Sequence, residues 1–297
     1  MRKNKLSMLL VVAGATLAIV LGGCGFGSET GVLKLNLTDA PLVDADVTGV
    51  YITITGIEYN RNGSWIEMAG FGDPQKYDLM ELTNGESALL GQLVLPSGRY
   101  TQIRFKLDVA DHDAGVPSNP GSYVEIGGPE AEGGQEVPLF VPSGAQTGYK
   151  AVGEFDVPVN GEVEVTVDFD VRKAVVLAGD KYILKPTLRL VVNNQAGTIT
   201  GTVTGAAGPT TVVFAYESGE YHEATETAAP EGDATWFPNS VSSTVVGDGG
   251  AFTLAFLAAG TYDLVVADFD GTNINVVAQK DGVDVTAGEV TAGGTIE

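Results

Sequence analysis

The residues best suited to chemistry in this chain are oxygen donors. Asp268-Phe-Asp-Gly-Thr-Asn273 places the carboxylates of Asp268 and Asp270 and the amide of Asn273 within six residues of a turn. Asp168-Phe-Asp170 puts two carboxylates on one face of an alternating segment. Clustered hard oxygens suit Ca2+, so both sets are candidate calcium ligands. Each also reads as turn chemistry, because Asp-Gly makes hairpin turns and Asp caps backbone donors, and neither segment matches an EF-hand loop. Nucleophilic catalysis has less to draw on. The two histidines, His112 and His222, stand beside no nucleophile elbow, and His112 lies in the polar run Asp111-His112-Asp113. Paired acids abound, yet glycosidase chemistry needs two at a fixed separation across a cleft, which spacing along an acidic chain does not select. Trp65, Tyr221, Trp236 and Phe237 offer aromatic faces for sugar stacking or for core packing. The expectation is a protein that is not an enzyme.

The single cysteine, Cys24, closes an N-terminal segment with a basic start (Arg2, Lys3, Lys5) and an apolar stretch from Leu6 to Val20. That stretch is short for a membrane span and has the build of an export signal. Its end, Leu21-Gly22-Gly23-Cys24, resembles the lipobox of bacterial lipoproteins. The resemblance implies cleavage between Gly23 and Cys24, a diacylglycerol on the Cys24 thiol and a membrane anchor. Each buried methylene adds about 0.8 kcal/mol, so two or three acyl chains hold durably. Gly25, where an Asp would signal inner-membrane retention, points to a cell-envelope location at the outer membrane if the source has two membranes.

Composition sets the remaining limits. The 297 residues include 16 Lys plus Arg against 38 Asp plus Glu, a net charge of −22. Removing residues 1–23 takes away three bases and no acids, leaving 13 against 38, or −25. Such a chain is no nucleic-acid partner, since phosphate binding needs clustered cations. One cysteine allows neither an internal disulfide nor a thiolate zinc site.

Positioning these groups falls to strands. Period-2 alternation runs through residues 32–37, 50–55 and 103–108 and recurs in Glu162–Phe169, Tyr182–Val192, Thr198–Val203, Thr211–Tyr216, Ala251–Leu257, Tyr262–Ala267 and Asn273–Lys280. Gly-rich turns separate the segments, and leucine spacing suggests one short helix around Ser87–Leu93. The pattern predicts an all-β chain of two antiparallel β-sandwich domains in tandem after the lipoprotein signal peptide. The expected divisions are signal 1–23, acylated tether 24–31, and domains 32–193 and 194–297. The second domain carries one base, Lys280, against 14 acids. Both contain an L-x-x-G-x-Y corner, at Leu95–Tyr100 and at Leu257–Tyr262, whose Tyr hydroxyl should reach backbone.

The C-terminal segments Gly197–Val203, Gly247–Leu254 and Leu257–Tyr262 resemble the carboxypeptidase regulatory-like domains, which implies a seven-stranded transthyretin-like sandwich. The long acidic excursion Glu217–Asn239 departs from that pattern. The N-terminal part, with Leu37-Thr-Asp-Ala-Pro41, Leu95–Tyr100, Val167-Asp-Phe-Asp170 and Tyr182–Arg189, resembles a domain family of unknown function found in lipoproteins. The combined expectation is a lipid-anchored envelope protein with a non-catalytic binding, adhesion or scaffolding role and a glycan or envelope protein as partner. A carbohydrate-binding lipoprotein is the alternative, and a carboxylate-based hydrolase the third reading.

Overall fold

The computed structural model describes residues 29–40, 46–111, 115, 117, 120–127, 134–141, 148–205, 210–230, 234–269 and 273–297. Alternating and β-branched segments become strands throughout. The N-terminal unit begins with β1 (Thr30–Thr38), β2 (Val47–Arg61), β3 (Ser64–Glu67), β4 (Gln75–Asp78) and β5 (Ala88–Pro96). There follow β6 (Gly98–Leu107), β7 (Ala110–Asp111), β8 (Tyr123–Ile126), β9 (Gln135–Val141) and β10 (Tyr149–Val157). It closes with β11 (Glu162–Asp168), the one-turn helix α1 (Val171–Ala174), β12 (Val175–Ala178), β13 (Lys181–Leu184) and β14 (Leu188–Val192).

These strands form one 14-stranded sheet in the order β12-β13-β9-β8-β2-β6-β10-β14-β11-β1-β5, with β3 and β4 on β2 and β7 on β9. Leu33, Leu35 and Leu37 of β1 and Leu93 and Leu95 of β5 share a single core with Ile52, Ile54 and Ile57 of β2 and Phe105 of β6. Strands from the end and the middle of the order thus meet, so the sheet rolls over itself into a sandwich. Each such buried aliphatic side chain contributes roughly 1.5–3 kcal/mol.

A single 3-10 turn, Asn193–Gln195, leads into the C-terminal unit. Its strands are β15 (Ala196–Val203), β16 (Thr211–Glu217), β17 (Ser242–Val245), β18 (Ala251–Ala258), β19 (Gly260–Phe269), β20 (Ile274–Val285) and β21 (Val290–Ile296), with the short helix α2 (Glu223–Glu226) after β16. They make a three-stranded sheet, β18-β15-β21, and a four-stranded one, β17-β16-β19-β20, the seven strands that the resemblance implies. Ile199, Val213, Leu254 and Leu264 fill the space between the sheets. The opposite face of β16 is buried too, with Phe214 and Tyr216 covered by Phe237 of the acidic excursion.

Most strand pairs are antiparallel, as expected. Five run parallel, among them β1 with β11, β10 with β14 and β15 with β21. The expected helix at Ser87–Leu93 is strand β5 instead. Leu35 pairs with Gly91 and Asn36 with Leu89, so Leu90 is the extra residue of a bulge. That bulge puts Leu90 and Leu93 on one face at a spacing that mimics a helix. Tyr182–Val192 is two strands, β13 and β14, broken around Pro186, whose missing N–H cannot join a ladder. Among the described residues, no helix is long and apolar enough to cross a membrane.

Candidate functional site

The two Asp motifs of the N-terminal unit meet at one point. In the parallel β1–β11 pair Thr38 lies opposite Asp168, and Phe169 N–H donates to the Thr38 carbonyl over 3.1 Å. Just beyond, Val171 N–H donates to Asp39 Oδ1 at 2.8 Å. Asp170 takes a left-handed conformation, φ 44°, which turns the chain into α1. Asp39, Asp168 and Asp170 are all buried.

Three cations share the cluster. Arg189 donates to Asp168 Oδ2 at 2.6 Å. Arg172 and Lys173 approach Asp170 Oδ2 at 3.4 and 3.3 Å. Asp39 Oδ2, in contrast, has no hydrogen-bond partner. Burial drives the Asp39 carboxyl well above the usual range, the charges of Asp168 and Asp170 push the same way, and the Val171 bond opposes them. Burial also lowers the Lys173 ammonium.

Arg172 then leaves its own unit. Its Nη1 donates to the carbonyls of Trp236 and Phe237, each at 2.7 Å, and its Nη2 to Ser240 Oγ at 2.8 Å. The guanidinium lies 5.3 Å from the centre of the Phe214 ring, within cation–π range. Lys173 Nζ adds a bond to the Ser240 carbonyl at 2.6 Å. The receiving loop is pinned from within by Glu226, which is fully buried and accepts bonds from Tyr216 Oη, Asn239 N and Asn239 Nδ2. Phe237, at φ 51°, stacks on Phe214 with ring centres 4.0 Å apart. A second bridge joins Thr244 Oγ1 to Asn84 Oδ1 at 2.5 Å. The arrangement is a latch: one buried arginine, desolvated on every side, ties the rolled sheet to the C-terminal sandwich.

The sequence candidates take the following places. Asp168 and Asp170 come together, but their carboxylates face Arg189, Arg172 and Lys173 rather than a common cation position. Asp268 accepts from Thr211 Oγ1 at 2.5 Å, an ordinary strand-end bond. Asn273 directly precedes β20, and Asp270 lies outside the described residues. Among the described residues, no group of three or more His, Cys, Asp or Glu is placed to hold a metal ion. Gly23, Cys24 and His112 also lie outside them, and His222 is exposed. The four aromatics do not form one sugar platform. Phe237 is core, Tyr221 and Trp236 pack beside it, and Trp65 belongs to the other unit, beneath Arg104. Both corner tyrosines reach backbone: Tyr100 Oη donates to the Pro96 carbonyl at 2.6 Å and Tyr262 Oη to that of Ala258 at 2.9 Å. A polar cleft of 430 Å³ lined by Arg99, Glu154, Asp156, Glu162, Asn194 and Gln195 lies near the inter-unit turn.

Sequence reasoning missed Arg172, Lys173, Arg189 and Glu226. The signal was present for the first two: a consecutive Arg-Lys pair one residue beyond Asp-Phe-Asp is unusual in so acidic a chain.

The motifs that build this junction lie in or beside a stretch with relatives. The family model described as Domain of unknown function (DUF4382) matches residues 30–186, more than half of the chain. The chain belongs to this family. The DUF4382 region holds Asp39, Asp168, Asp170 and Arg172, whereas Arg189 and the receiving loop lie beyond it. No curated protein matches the chain. Solved structures similar to it include the Bacillus anthracis TIE protein, at 9% identity and TM-score 0.21, covering 90% of this chain and 33% of that one. The major pilin subunit BcpA of Bacillus cereus is similar at 10% identity and TM-score 0.20, covering 91% and 70%. The shaft pilin SpaA from Lactobacillus rhamnosus GG is similar at 12% identity and TM-score 0.23, covering 89% and 96%. The chain thus spans about a third of the first of these, and TM-scores this low carry no argument about function.

Proposed function

We propose that this DUF4382 protein is a lipid-anchored, non-catalytic scaffold of the cell envelope, set at the outer membrane where the envelope has two. The observation that carries the scaffolding part is the Arg172 latch. This set of buried charges holds two β units together: Arg172 donates through Nη1 and Nη2 to the C-terminal loop, Lys173 to the Ser240 carbonyl, and Arg189 to Asp168. A hydrolase would instead keep a poised acid and base open to substrate. The lipobox-like Leu21–Cys24 supports the anchor.

Mass spectrometry of the mature protein from its native host tests the anchor: a diacylglyceryl group on Cys24 at the N-terminus is expected, and an unmodified Cys24 or cleavage elsewhere refutes it. A glycan array probed with residues 25–297 tests the alternative of carbohydrate binding. Its expected outcome is no binding at millimolar glycan, in keeping with the dispersal of Trp65, Tyr221, Trp236 and Phe237 over two units.

A further inference from the structure

We infer that the seam between the two units is a proton-operated joint: it is locked while the Asp39 carboxyl is neutral and loosens, without unfolding either unit, when that carboxyl ionises. The inference rests on the reading of Arg172 as the tie between the units, and three observations support it.

The first is position, because Asp39 lies at the root of both bridges to the C-terminal unit. Its Oδ1 accepts from Val171 N–H, which sets α1 and hence Arg172. Its own N–H donates to the Leu82 carbonyl at 2.9 Å, and the neighbouring Thr38 Oγ1 donates to the carbonyls of Leu82 and Glu86. Those anchors bracket Asn84, whose Oδ1 takes the bond from Thr244. A displacement at Asp39 therefore moves both contacts.

The second is an unused oxygen. Asp39 Oδ2 has no partner, and the cavity that Asp39 lines reaches across the seam to Ser243, whose buried Oγ has none either. A neutral carboxyl suits so dry a place, whereas a lone charge there lacks the partner it needs. The cavity measures about 10 Å³, the lower limit for a single water, so hydrating an ionised Asp39 requires its walls to part. Those walls belong to different units.

The third is the charge on each side. Burial and the charges of Asp168 and Asp170 all oppose ionisation of Asp39. The nearby bases are engaged elsewhere, Arg189 with Asp168, and Arg172 and Lys173 with Asp170 and the receiving loop. Burial raises the Tyr149 hydroxyl, which keeps it neutral, and Glu81 and Glu86 are exposed. The C-terminal wall of Ser242, Ser243, Thr253, Ala255 and Phe256 carries no charge. Lys173, whose ammonium burial lowers, also loses charge as pH rises, so its part must be separated from that of Asp39.

The distance between the units reads the joint directly. In the mature chain with Cys24→Ser, dyes on Val152→Cys and Val277→Cys, exposed positions of β10 and β20, report it by single-molecule energy transfer. One narrow distance is expected near pH 5, and above that the ratio of loosened to locked molecules should rise about tenfold per pH unit before levelling off, the signature of one proton. Circular dichroism should stay unaltered, and returning to the lower pH should restore the narrow distance. Asp39→Asn should stay locked throughout. Thr244→Val, which weakens the second bridge and leaves Asp39 in place, should move the wild-type curve to lower pH. A distance that is constant between about pH 5 and 9 overturns the inference. So does an unchanged response in Asp39→Asn, which would assign the effect to Lys173, or an unmoved curve in Thr244→Val. A constant distance in the wild type together with a split urea transition in Arg172→Ala would leave the latch standing and remove only its control by a proton.

Discussion

Val171 donates its backbone N–H to Asp39 Oδ1 although 132 positions separate the two residues. That bond fixes where α1 begins, and α1 in turn aims Arg172 into the C-terminal sandwich. Arg172→Ala removes the guanidinium from a fully desolvated cup and leaves Asp170 and two carbonyls short of a donor. A loss of about 3–5 kcal/mol is expected, with the single urea transition of the intact chain splitting into two as the units uncouple. Arg172→Lys should recover only part of this, because an ammonium cannot reach both carbonyls and Ser240 with the geometry of a planar fork. A single unshifted transition for Arg172→Ala would show that the units are held by other contacts.

Asp39 sets a pH dependence of known sign. Its folded carboxyl sits well above the ordinary range because burial and two neighbouring acids disfavour the charge, so the folded state binds a proton more readily than the unfolded chain. The stability it contributes is complete below the unfolded value and is lost as pH rises through the folded one. Asp39→Asn keeps an acceptor for Val171 and carries no charge. The variant should therefore match the wild type near pH 4 and exceed it in urea midpoint at pH 7 to 8. The opposite order at neutral pH would show that the ionised Asp39 is a net stabiliser of the junction.

Much of this architecture was legible in the sequence because alternation reports which face is buried. The strands from Val32, Val50 and Ile103 onward, and the two L-x-x-G-x-Y corners, followed directly from it. The reading failed at Ser87–Leu93, where a bulge at Leu90 gives a strand a helix-like spacing, and at Tyr182–Val192, where Pro186 interrupts the ladder. The junction was half visible. Asp168 and Asp170 stood out as oxygen donors, but their partners are cations brought in by strand register and by a turn at positive φ, neither of which has a periodic signature. Glu226 looked like one more charge in an acidic excursion. Only the packed structure shows it fully buried and holding the loop that receives Arg172.

Glu226 and Arg172 should accordingly be coupled. Glu226→Ala takes away the acceptor for Tyr216 and for two Asn239 donors, which loosens the loop whose carbonyls cup the guanidinium. Urea unfolding of both single variants and the double variant should give an interaction energy of about 0.5–3 kcal/mol, the double costing less than the sum. Strict additivity would mean that the loop keeps its shape without Glu226.

The tyrosine corners offer a smaller and cleaner effect. Tyr100→Phe and Tyr262→Phe each delete one hydroxyl and leave the ring packed, so each should cost about 1 kcal/mol, the net value of one buried hydrogen bond. Their similarity is the point of the test, since both hydroxyls reach a carbonyl four residues upstream at a one-residue crossing between strands. A loss in one unit only would show that the two corners, despite matching sequence, carry different strain.

Glu58 supplies the acid-side counterpart. Burial alone would raise its carboxyl, but bonds and charge from Arg104 and Lys106 outweigh that and hold it below the ordinary value of 4.5. A depressed folded value means that the stabilisation is present above the unfolded value and is lost as pH falls through the folded one. Glu58→Gln keeps the size and an acceptor but removes the charge that offsets two cations on the Trp65 face. At pH 7 it should unfold at lower urea, by about 1–3 kcal/mol, and the gap should close as the pH is lowered toward 3. A gap of the same size at pH 3 and pH 7 would mean that Glu58 holds β2 against β6 by packing rather than by its charge.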